Sequence, residues 1–384
     1  MKIKTISAAQ AAPDMTVADD IFSFSGQLII PKGTVLTNRS ITRLKFYSIT
    51  DLKIVVNDDN EDEQTYSEDN QETEREEVRE ETGFVPRELS PDASFQEKIK
   101  NTPEYIEFNK KVMDSVEVLQ GSLNRFIANA DSGVEVQDLL SQTKETIAKS
   151  RNPIHTFHML QSMRDYDDAT FVHSLNVSII CNAFGQWLNM SEKDLDALTL
   201  AGLLHDIGKM KIPESIIKKP GLLTEAEYTQ VKLHPRRGYN LLKKLSIDNR
   251  VKNAALMHHE RCDGTGYPSG LRDSSIDEFA KIVAIVDVYD AMTSARVYRG
   301  PLCPFEVLNV YETEGYQRFD PKYLLVFMEN IANTYLNNTV RLSDGREGEI
   351  VMINKLNITK PIVRVGNGFI DLAGKTDLSI VEVY

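Results

Sequence analysis

Histidine is concentrated in one stretch of this chain, and that clustering constrains the fold more than any other feature. The 384 residues contain seven histidines, and four of them lie between His205 and His259, with His173 about one helix upstream. Buried imidazoles and carboxylates need polar partners, and a metal ion accepts both at once. A single histidine is more often a hydrogen-bonded core or surface residue, but this cluster predicts a metal site.

The number of donors in this part of the chain exceeds what one metal with open positions can use. Asp287 stands in the mostly apolar segment 281–292, where an unpaired carboxylate would be costly to bury. We therefore expect two divalent metals with Asp206 as a bridging, catalytic carboxylate. Nitrogen and oxygen donors without cysteine favour iron or manganese and leave zinc or nickel open. The predicted metal ligands are His173, His205, Asp206, His234, His258, His259 and Asp287.

Two adjacent metals can activate water and hold the entering and leaving oxygens of a displacement at phosphorus, so the site predicts phosphoester hydrolysis. The chain contains no GxxxxGK[ST] motif, no GxGxxG motif after a strand and no nucleophilic serine elbow. The sequence therefore disfavours P-loop chemistry, dinucleotide redox chemistry and serine catalysis.

Composition divides the chain into four parts. Residues 1–56 combine short strands and turns and predict a small α+β module, whereas residues 57–95 predict an acidic, disordered linker. This linker has 13 acidic residues and two arginines in its first two thirds, so it carries most of the net charge of −13. Residues 96–335 have helical periodicity, with the catalytic region at about 150–330, and residues 336–384 predict a small β module. The predicted fold is mainly α.

The chain lacks the sequence features of secretion or membrane insertion. Gln10 and Pro13 interrupt the apolar run near the N-terminus, and a run of about 18 apolar residues is absent elsewhere. We therefore expect a cytoplasmic protein without a membrane span. Cys181, Cys262 and Cys303 are too far apart to predict a disulfide framework or a CxxC metal pair.

Further motifs flank the histidines in a definite order. His205-Asp206-Ile207-Gly208-Lys209 is followed by residues 258–268, which read His-His-Glu-Arg-Cys-Asp-Gly-Thr-Gly-Tyr-Pro. The shorter motifs are Phe171-Val172-His173-Ser174, Ile212-Pro213, His234-Pro235, Asp287-Val288-Tyr289-Asp290-Ala291-Met292-Thr293, Arg296-Val297-Tyr298-Arg299 and Phe319-Asp320-Pro321. From about Asp165 to Asn330 the chain resembles the HD-GYP family, which hydrolyses the bacterial second messenger cyclic di-GMP.

The resemblance implies an all-helical HD-type metal phosphohydrolase domain. Its activity would be hydrolysis of cyclic di-GMP to pGpG, GMP or both through a metal-bridged hydroxide. The seven predicted ligands match the metal positions of the family. Lys209 would lie beside the scissile phosphate as a catalytic and substrate-binding residue, while Arg296 and Arg299 match positions that hold phosphates.

The loop after the histidine doublet adds two candidate substrate-binding residues. Its glycines and Pro268 permit a tight fold that would present Arg261 and Tyr267 beside the metals. The alternative is a turn that only orients the doublet. One helical turn before His173, where a three-metal form of the family has glutamate, this chain has Ala169, which favours two metals.

Two other functions stay open. The same metal site could act on another cyclic dinucleotide or a nucleotide, because base recognition is not visible in these motifs. A catalytically silent domain that binds the messenger or a partner is less favoured, because every ligand position is filled. We expect a cyclic dinucleotide as substrate and no nucleic-acid polymer as partner. An apolar stripe along residues 108–123 would pack against the catalytic helices or pair two copies as a homodimer.

Overall fold

The computed structural model describes most of the chain in two compact units, Met1–Val85 and Pro86–Tyr384. The predicted linker, residues 57–95, lies outside the described residues except for Leu89 and Phe95, and Arg296 and Arg299 lie outside them as well. The described residues are 2–7, 11–12, 15–22, 28–37, 40, 44, 51–56, 89, 95–128, 136–163, 169–219, 223–294, 301–375 and 377–384.

The first unit is built on two small antiparallel sheets. Its strands are β1 (Lys2–Ser7), β2 (Thr16–Val17), β3 (Ile21–Phe22), β4 (Leu28–Ile30) and β5 (Asp51–Val56). One sheet has the order β1-β5-β2, and β3 pairs with β4 in the other. Alternate apolar side chains form its core because successive residues of a strand face opposite sides of a sheet. The core side chains are Ile6, Val17, Ile21, Ile30, Leu36, Leu44, Leu52 and Ile54.

Helices form most of the second unit. They are α1 (Phe95–Lys100), α2 (Pro103–Ala128), α3 (Val136–Ile147), α4 (Pro153–Ser162), α5 (Ala169–Trp187), α6 (Glu192–Leu204), α7 (Glu214–Ile217), α8 (Glu225–Val231), α9 (His234–Leu242), α10 (Asn249–Met257), α11 (Glu278–Thr293), α12 (Pro304–Val310), α13 (Tyr316–Arg318) and α14 (Pro321–Thr334). Short 3-10 helices span Ile207–Lys211 and Asp273–Ser275, and a π-helical turn spans Tyr311–Gly315.

Side-chain caps determine where several helices near the histidine cluster begin. The Ser191 hydroxyl accepts a hydrogen bond from the Asp194 backbone N–H at the start of α6. Thr224 and Glu227 cap each other's backbone N–H groups at the start of α8. These bonds satisfy N–H groups that have no partner within the helix, so they stabilise the first turns.

The apolar stripe on α2 packs inside the chain. Phe108 and Val112 are fully buried, and Val116, Leu119 and Leu123 are each at most 7% exposed. Helix α2 contacts α3 and α5, so these side chains belong to the main core of the second unit. The stripe is therefore buried within its own chain, and the homodimer stays a prediction without this support.

A five-stranded antiparallel sheet completes the second unit. Its strands are β6 (Thr339–Leu342), β7 (Glu347–Asn354), β8 (Asn357–Val365), β9 (Gly368–Asp371) and β10 (Ile380–Val383), in the order β10-β6-β7-β8-β9. Val340, Ile350 and Val363 are fully buried in the same core as the helices. The prediction of a mainly α fold with small strand-containing parts at both ends is confirmed. Within the described part of the chain, none of the helices is long and apolar enough to span a bilayer.

Candidate metal centre and active site

Five helices deliver the predicted ligands to one buried place. His173 lies in the first part of α5, His205 and His258 directly follow α6 and α10, His234 begins α9, and Asp287 lies in α11. These helices pack against one another: α5 against α6 and α11, and α10 against α6, α9 and α11. Side chains near helix ends can therefore converge even though they are far apart in sequence.

A glycine permits the closest of these helix contacts. Gly208, in the 3-10 helix Ile207–Lys211, lies against the first turn of α9. A β-carbon at Gly208 would be 2.0 Å from the backbone oxygen of His234 and 2.6 Å from the backbone nitrogen of Gly238. Any other residue would separate the segment that carries Asp206 from the helix that carries His234.

The seven predicted ligands form two groups, each with donor atoms within 4.8 Å of one another. Asp206 belongs to the first group and His173 to the second. Six of the seven are buried, and the exception is His259, whose side chain is 19% exposed. The first group is Asp206, His234, His258 and His259, and the second is His173, His205 and Asp287.

Asp206 lies between the two groups. Its Oδ1 is 3.2 Å from His234 Nε2 and 3.6 Å from His258 Nε2. Its Oδ2 is 3.4 Å from His205 Nε2 and 3.8 Å from His173 Nε2. The two oxygens of one carboxylate thus face different sets of imidazoles, which is the arrangement that a bridging ligand requires.

Backbone carbonyls orient three of the imidazoles. The Nδ1 atoms of His205, His234 and His258 lie 2.7, 2.8 and 3.0 Å from the carbonyl oxygens of Gly202, Val231 and Ala254. Nδ1–H donates in each pair, which leaves Nε2 unprotonated and directed toward the centre. A second partner of this kind fixes the tautomer of a metal-binding histidine.

His173 is oriented by a carboxylate that the sequence analysis did not assign. Its Nδ1 lies 2.7 Å from Asp290 Oδ2, and its Nε2 lies 3.1 Å from Asp287 Oδ1. Burial lowers the pKa of His173, but the hydrogen bonds to Asp287 and Asp290 outweigh it and raise the pKa to about 9. Asn176 also donates to Asp290, at 3.3 Å. Asp290 therefore holds the imidazole in place.

Two buried atoms at the centre make no hydrogen bond. They are His205 Nε2 and Asp206 Oδ1. An unpartnered buried polar atom is costly, and a divalent cation between these groups would provide the missing partner. Burial lowers the pKa of His258 to about 4, so its imidazole is a neutral ligand at physiological pH. The residues present thus fit divalent metal binding.

Lys209 lies beside the same carboxylate. Its ammonium group donates to Asp206 Oδ2, and its side chain is 24% exposed. Burial raises the pKa of Asp206, but Lys209 and His205 outweigh it and hold the pKa well below its usual range. The centre therefore has an ionised carboxylate with an ammonium group that also reaches toward solvent.

The loop after the histidine doublet is held by Glu260, a second residue that the sequence analysis did not assign. Glu260 is 2% exposed, and its two carboxylate oxygens accept from the backbone N–H groups of Ser269 and Leu271, both at 2.8 Å. Gly266 passes so close to the start of the loop that a β-carbon there would be 2.4 Å from Glu260 Cα. The loop is thus folded back onto the segment that carries the doublet.

Tyr267 and Arg261 both lie next to the doublet. The Tyr267 ring stacks on His259 with centroids 4.6 Å apart and an interplanar angle of 24°. Arg261 Nη1 donates to the backbone oxygens of His258 and Glu260, at 3.1 and 2.8 Å, and its guanidinium lies over the Phe319 ring. These contacts give both residues a role in supporting the loop, and their contact with substrate stays a prediction.

The two residues that sequence reasoning missed had weak signals. Asp290 is three residues after Asp287, so both carboxylates lie on one face of α11. Glu260 directly follows the histidine doublet, and an acidic residue at that position could equally be exposed to solvent. Neither spacing indicates which backbone or imidazole group the carboxylate would meet.

Comparison with known proteins agrees with this site. Residues 137–323 match the family model described as HD domain. A cyclic di-GMP phosphodiesterase from Pseudomonas aeruginosa is 34% identical over 230 residues, 59% of this chain and 54% of that protein. The 3'3'-cGAMP-specific phosphodiesterase 1 from Vibrio cholerae is 39% identical over 167 residues, 43% of this chain and 39% of that protein.

Among solved structures, the chain is similar to a HDG"Y"P protein from Bdellovibrio bacteriovorus, with 17% identity and a TM-score of 0.46 over 85% of this chain and 98% of that chain. The chain spans 54% and 39% of the lengths of the two curated relatives described above. The HD-domain match, the ordered motifs and the curated relatives together support the resemblance of this chain to the HD-GYP family.

Proposed function

We propose that the protein is a metal-dependent phosphodiesterase that hydrolyses cyclic di-GMP to pGpG, GMP or both. The observation that carries this proposal is the position of Asp206, whose two oxygens face two separate groups of metal-binding side chains. A phosphodiester is the substrate class that a pair of adjacent divalent cations serves best. The names of the curated relatives, cyclic dinucleotide phosphodiesterases, support the same class.

The seven ligands would hold two divalent cations, one in each group, with Asp206 shared between them. Iron or manganese suits this mixture of imidazole and carboxylate donors best, and zinc or nickel is the alternative. When bound, such cations supply water activation and neutralise the charge on phosphate oxygens. A third cation is disfavoured because Ala169 offers no ligand atom.

Other residues of the chain would orient the metal ligands and compensate the negative charge of the phosphate groups. Asp290 and the three backbone carbonyls fix the imidazoles, so the ligand atoms need no rearrangement. Lys209, between Asp206 and solvent, would face a phosphate oxygen or donate a proton to the leaving oxygen. Arg296 and Arg299 would hold the other phosphate, with Arg261 and Tyr267 at the loop.

A second candidate is hydrolysis of another cyclic dinucleotide. The 39% identity to a 3'3'-cGAMP-specific phosphodiesterase favours 3'3'-cGAMP as that alternative. Both candidates use the same centre, because the chemistry at phosphorus does not depend on the base. A cytoplasmic location and the four-part division of the chain stay predictions from the sequence.

The test is to measure bound metals and reaction products on the purified full chain. We expect about two divalent ions per chain by elemental analysis and linear or mononucleotide products from cyclic di-GMP. Cyclic di-GMP and 3'3'-cGAMP should be compared at equal concentration. Full metal loading without turnover of either dinucleotide would support a catalytically silent binding domain instead.

A further inference from the structure

Beside the candidate metal centre, a lysine ammonium group lies near two tyrosine rings, one stacked on His259 and the other exposed. Tyr267 stacks on His259, and the Lys232 ammonium lies 5.6 Å from the centroid of the Tyr267 ring. The same ammonium lies 4.6 Å from the centroid of Tyr228, one turn earlier at the end of α8. Tyr228 is 47% exposed. The Lys232 ammonium group therefore lies near both Tyr267, next to the centre, and Tyr228, at the surface.

The charge of Lys232 is not used by a carboxylate. No carboxylate oxygen of the described residues lies within 4.0 Å of its ammonium group, although many other lysines of the chain are paired. Glu227, the neighbour of Tyr228, binds Lys219 at 2.6 Å and accepts from the Thr224 backbone N–H at 2.7 Å. Lys232 is thus held by ring faces alone and can turn toward an acceptor on a ligand.

An exposed ring beside an uncommitted ammonium matches one ligand chemistry well. A planar base stacks on an aromatic ring whatever the identity of the base. An ammonium group distinguishes between the two purines, because guanine presents two adjacent acceptors, O6 and N7, whereas adenine presents the N7 acceptor beside an N6 donor. Tyr228 would supply affinity for a base, and Lys232 would select guanine.

We propose that Tyr228 and Lys232 form a guanine-binding subsite of the active site. The subsite rests on the proposed function, because it receives one base of the cyclic dinucleotide whose phosphate lies at the metals. It predicts that cyclic di-GMP is preferred over cyclic di-AMP. Because 3'3'-cGAMP also contains one guanine, this single subsite admits it as well.

The experiment compares kcat/KM for cyclic di-GMP and cyclic di-AMP in the metal-loaded full chain and in three variants. Lys232→Met should reduce the preference for cyclic di-GMP from roughly tenfold or more toward unity, since a base-specific contact contributes about 1–3 kcal/mol. Tyr228→Ala should lower kcat/KM for both substrates by roughly tenfold through KM, whereas Tyr228→Phe, which keeps the ring, should stay close to the wild type.

Matched controls are Lys375→Met and Phe369→Ala in the C-terminal sheet region, where both side chains are exposed. Bis(p-nitrophenyl) phosphate, a diester without a base, serves as the reference substrate, and metal content is measured for every variant. Equal loss on both dinucleotides and on the reference diester in Lys232→Met would make Lys232 a phosphate contact and overturn the subsite. An unchanged KM in Tyr228→Ala would overturn it as well.

Binding of hydrolysis-resistant phosphorothioate analogues of the two dinucleotides separates this proposal from the proposed function. One outcome is that the wild type binds the cyclic di-GMP analogue more tightly than the cyclic di-AMP analogue, that this preference is lost in Lys232→Met, and that neither dinucleotide is hydrolysed. That result would support the subsite and contradict the phosphodiesterase proposal. Hydrolysis of both dinucleotides without a guanine preference would overturn the subsite alone.

Discussion

Asp206 is shared by both groups of candidate ligands, because its Oδ1 faces His234 and its Oδ2 faces His205. We predict that Asp206→Ala abolishes hydrolysis and lowers metal content in both positions. The decrease in activity should exceed roughly 10- to 100-fold, which is the effect of removing a residue that only hydrogen-bonds to a metal ligand. Elemental analysis and product formation measure it, with the exposed surface variant Asp138→Ala as control. Near-normal turnover with full metal content would contradict the bridging role.

His173 makes the stability of the metal-free protein depend on pH. Its pKa in the folded protein is raised to about 9, against about 6.5 for an unfolded chain. The protonated imidazole therefore stabilises the fold below about pH 6.5, and this contribution is lost as the pH rises through 9. At about 1.4 kcal/mol per unit of pKa shift, we predict a loss of about 3 kcal/mol.

Urea unfolding of the metal-free chain between pH 6.5 and 9 checks this prediction, with His173→Gln as the comparison. The variant should show a smaller decrease in the free energy of unfolding over this interval, because Gln does not titrate. An identical decrease in both proteins would assign the pH dependence to other groups.

At the scale of elements, the loop of residues 258–268 depends on Glu260. Its carboxylate accepts two backbone N–H groups while almost fully buried. Glu260→Gln keeps the size but replaces one acceptor oxygen by an NH₂ donor facing an N–H group. We predict a loss of about 1–3 kcal/mol in stability, the cost of an unsatisfied buried group.

Thermal unfolding and amide hydrogen exchange test this prediction. Exchange at Ser269 and Leu271 should accelerate in Glu260→Gln and not in Glu225→Gln, a change at an exposed glutamate in α8. Protection at both amides equal to that of the wild type would mean that the loop is held by other contacts.

At the scale of the whole molecule, the acidic segment is predicted to contribute little to the helical unit. Residues 57–82 carry many charges and few apolar groups, a composition that buries little surface. Deleting Asp58 to Glu81 should therefore leave metal content, activity and thermal unfolding temperature unchanged. Calorimetry and elemental analysis of the purified deletion variant measure this outcome. A clear loss of folded protein would show that the segment packs against one of the two units.

The class of the fold and the candidate donor atoms of the centre could be predicted from the sequence alone. Imidazole and carboxylate groups at His205, Asp206 and His258 predict a divalent-metal site, because a metal ion accepts both kinds of donor when they are buried together. Helical periodicity likewise predicted the mainly α architecture, since an apolar stripe every three or four residues is a local property.

The partner of each of these side chains could not be predicted from the sequence and is visible in the folded chain. His173 meets Asp290, Glu260 meets the amides of Ser269 and Leu271, and the stripe on α2 is buried within its own chain. The first and third of these contacts join segments whose distance in space depends on how helices pack, and the second depends on how the loop folds back on itself. The pairing of Lys232 with Tyr267, rather than with a carboxylate, has the same origin. The local sequence pattern predicts which side chains can act as donors or acceptors. Their partners depend on tertiary packing, because the packing of helices sets the distances between residues that are remote in sequence.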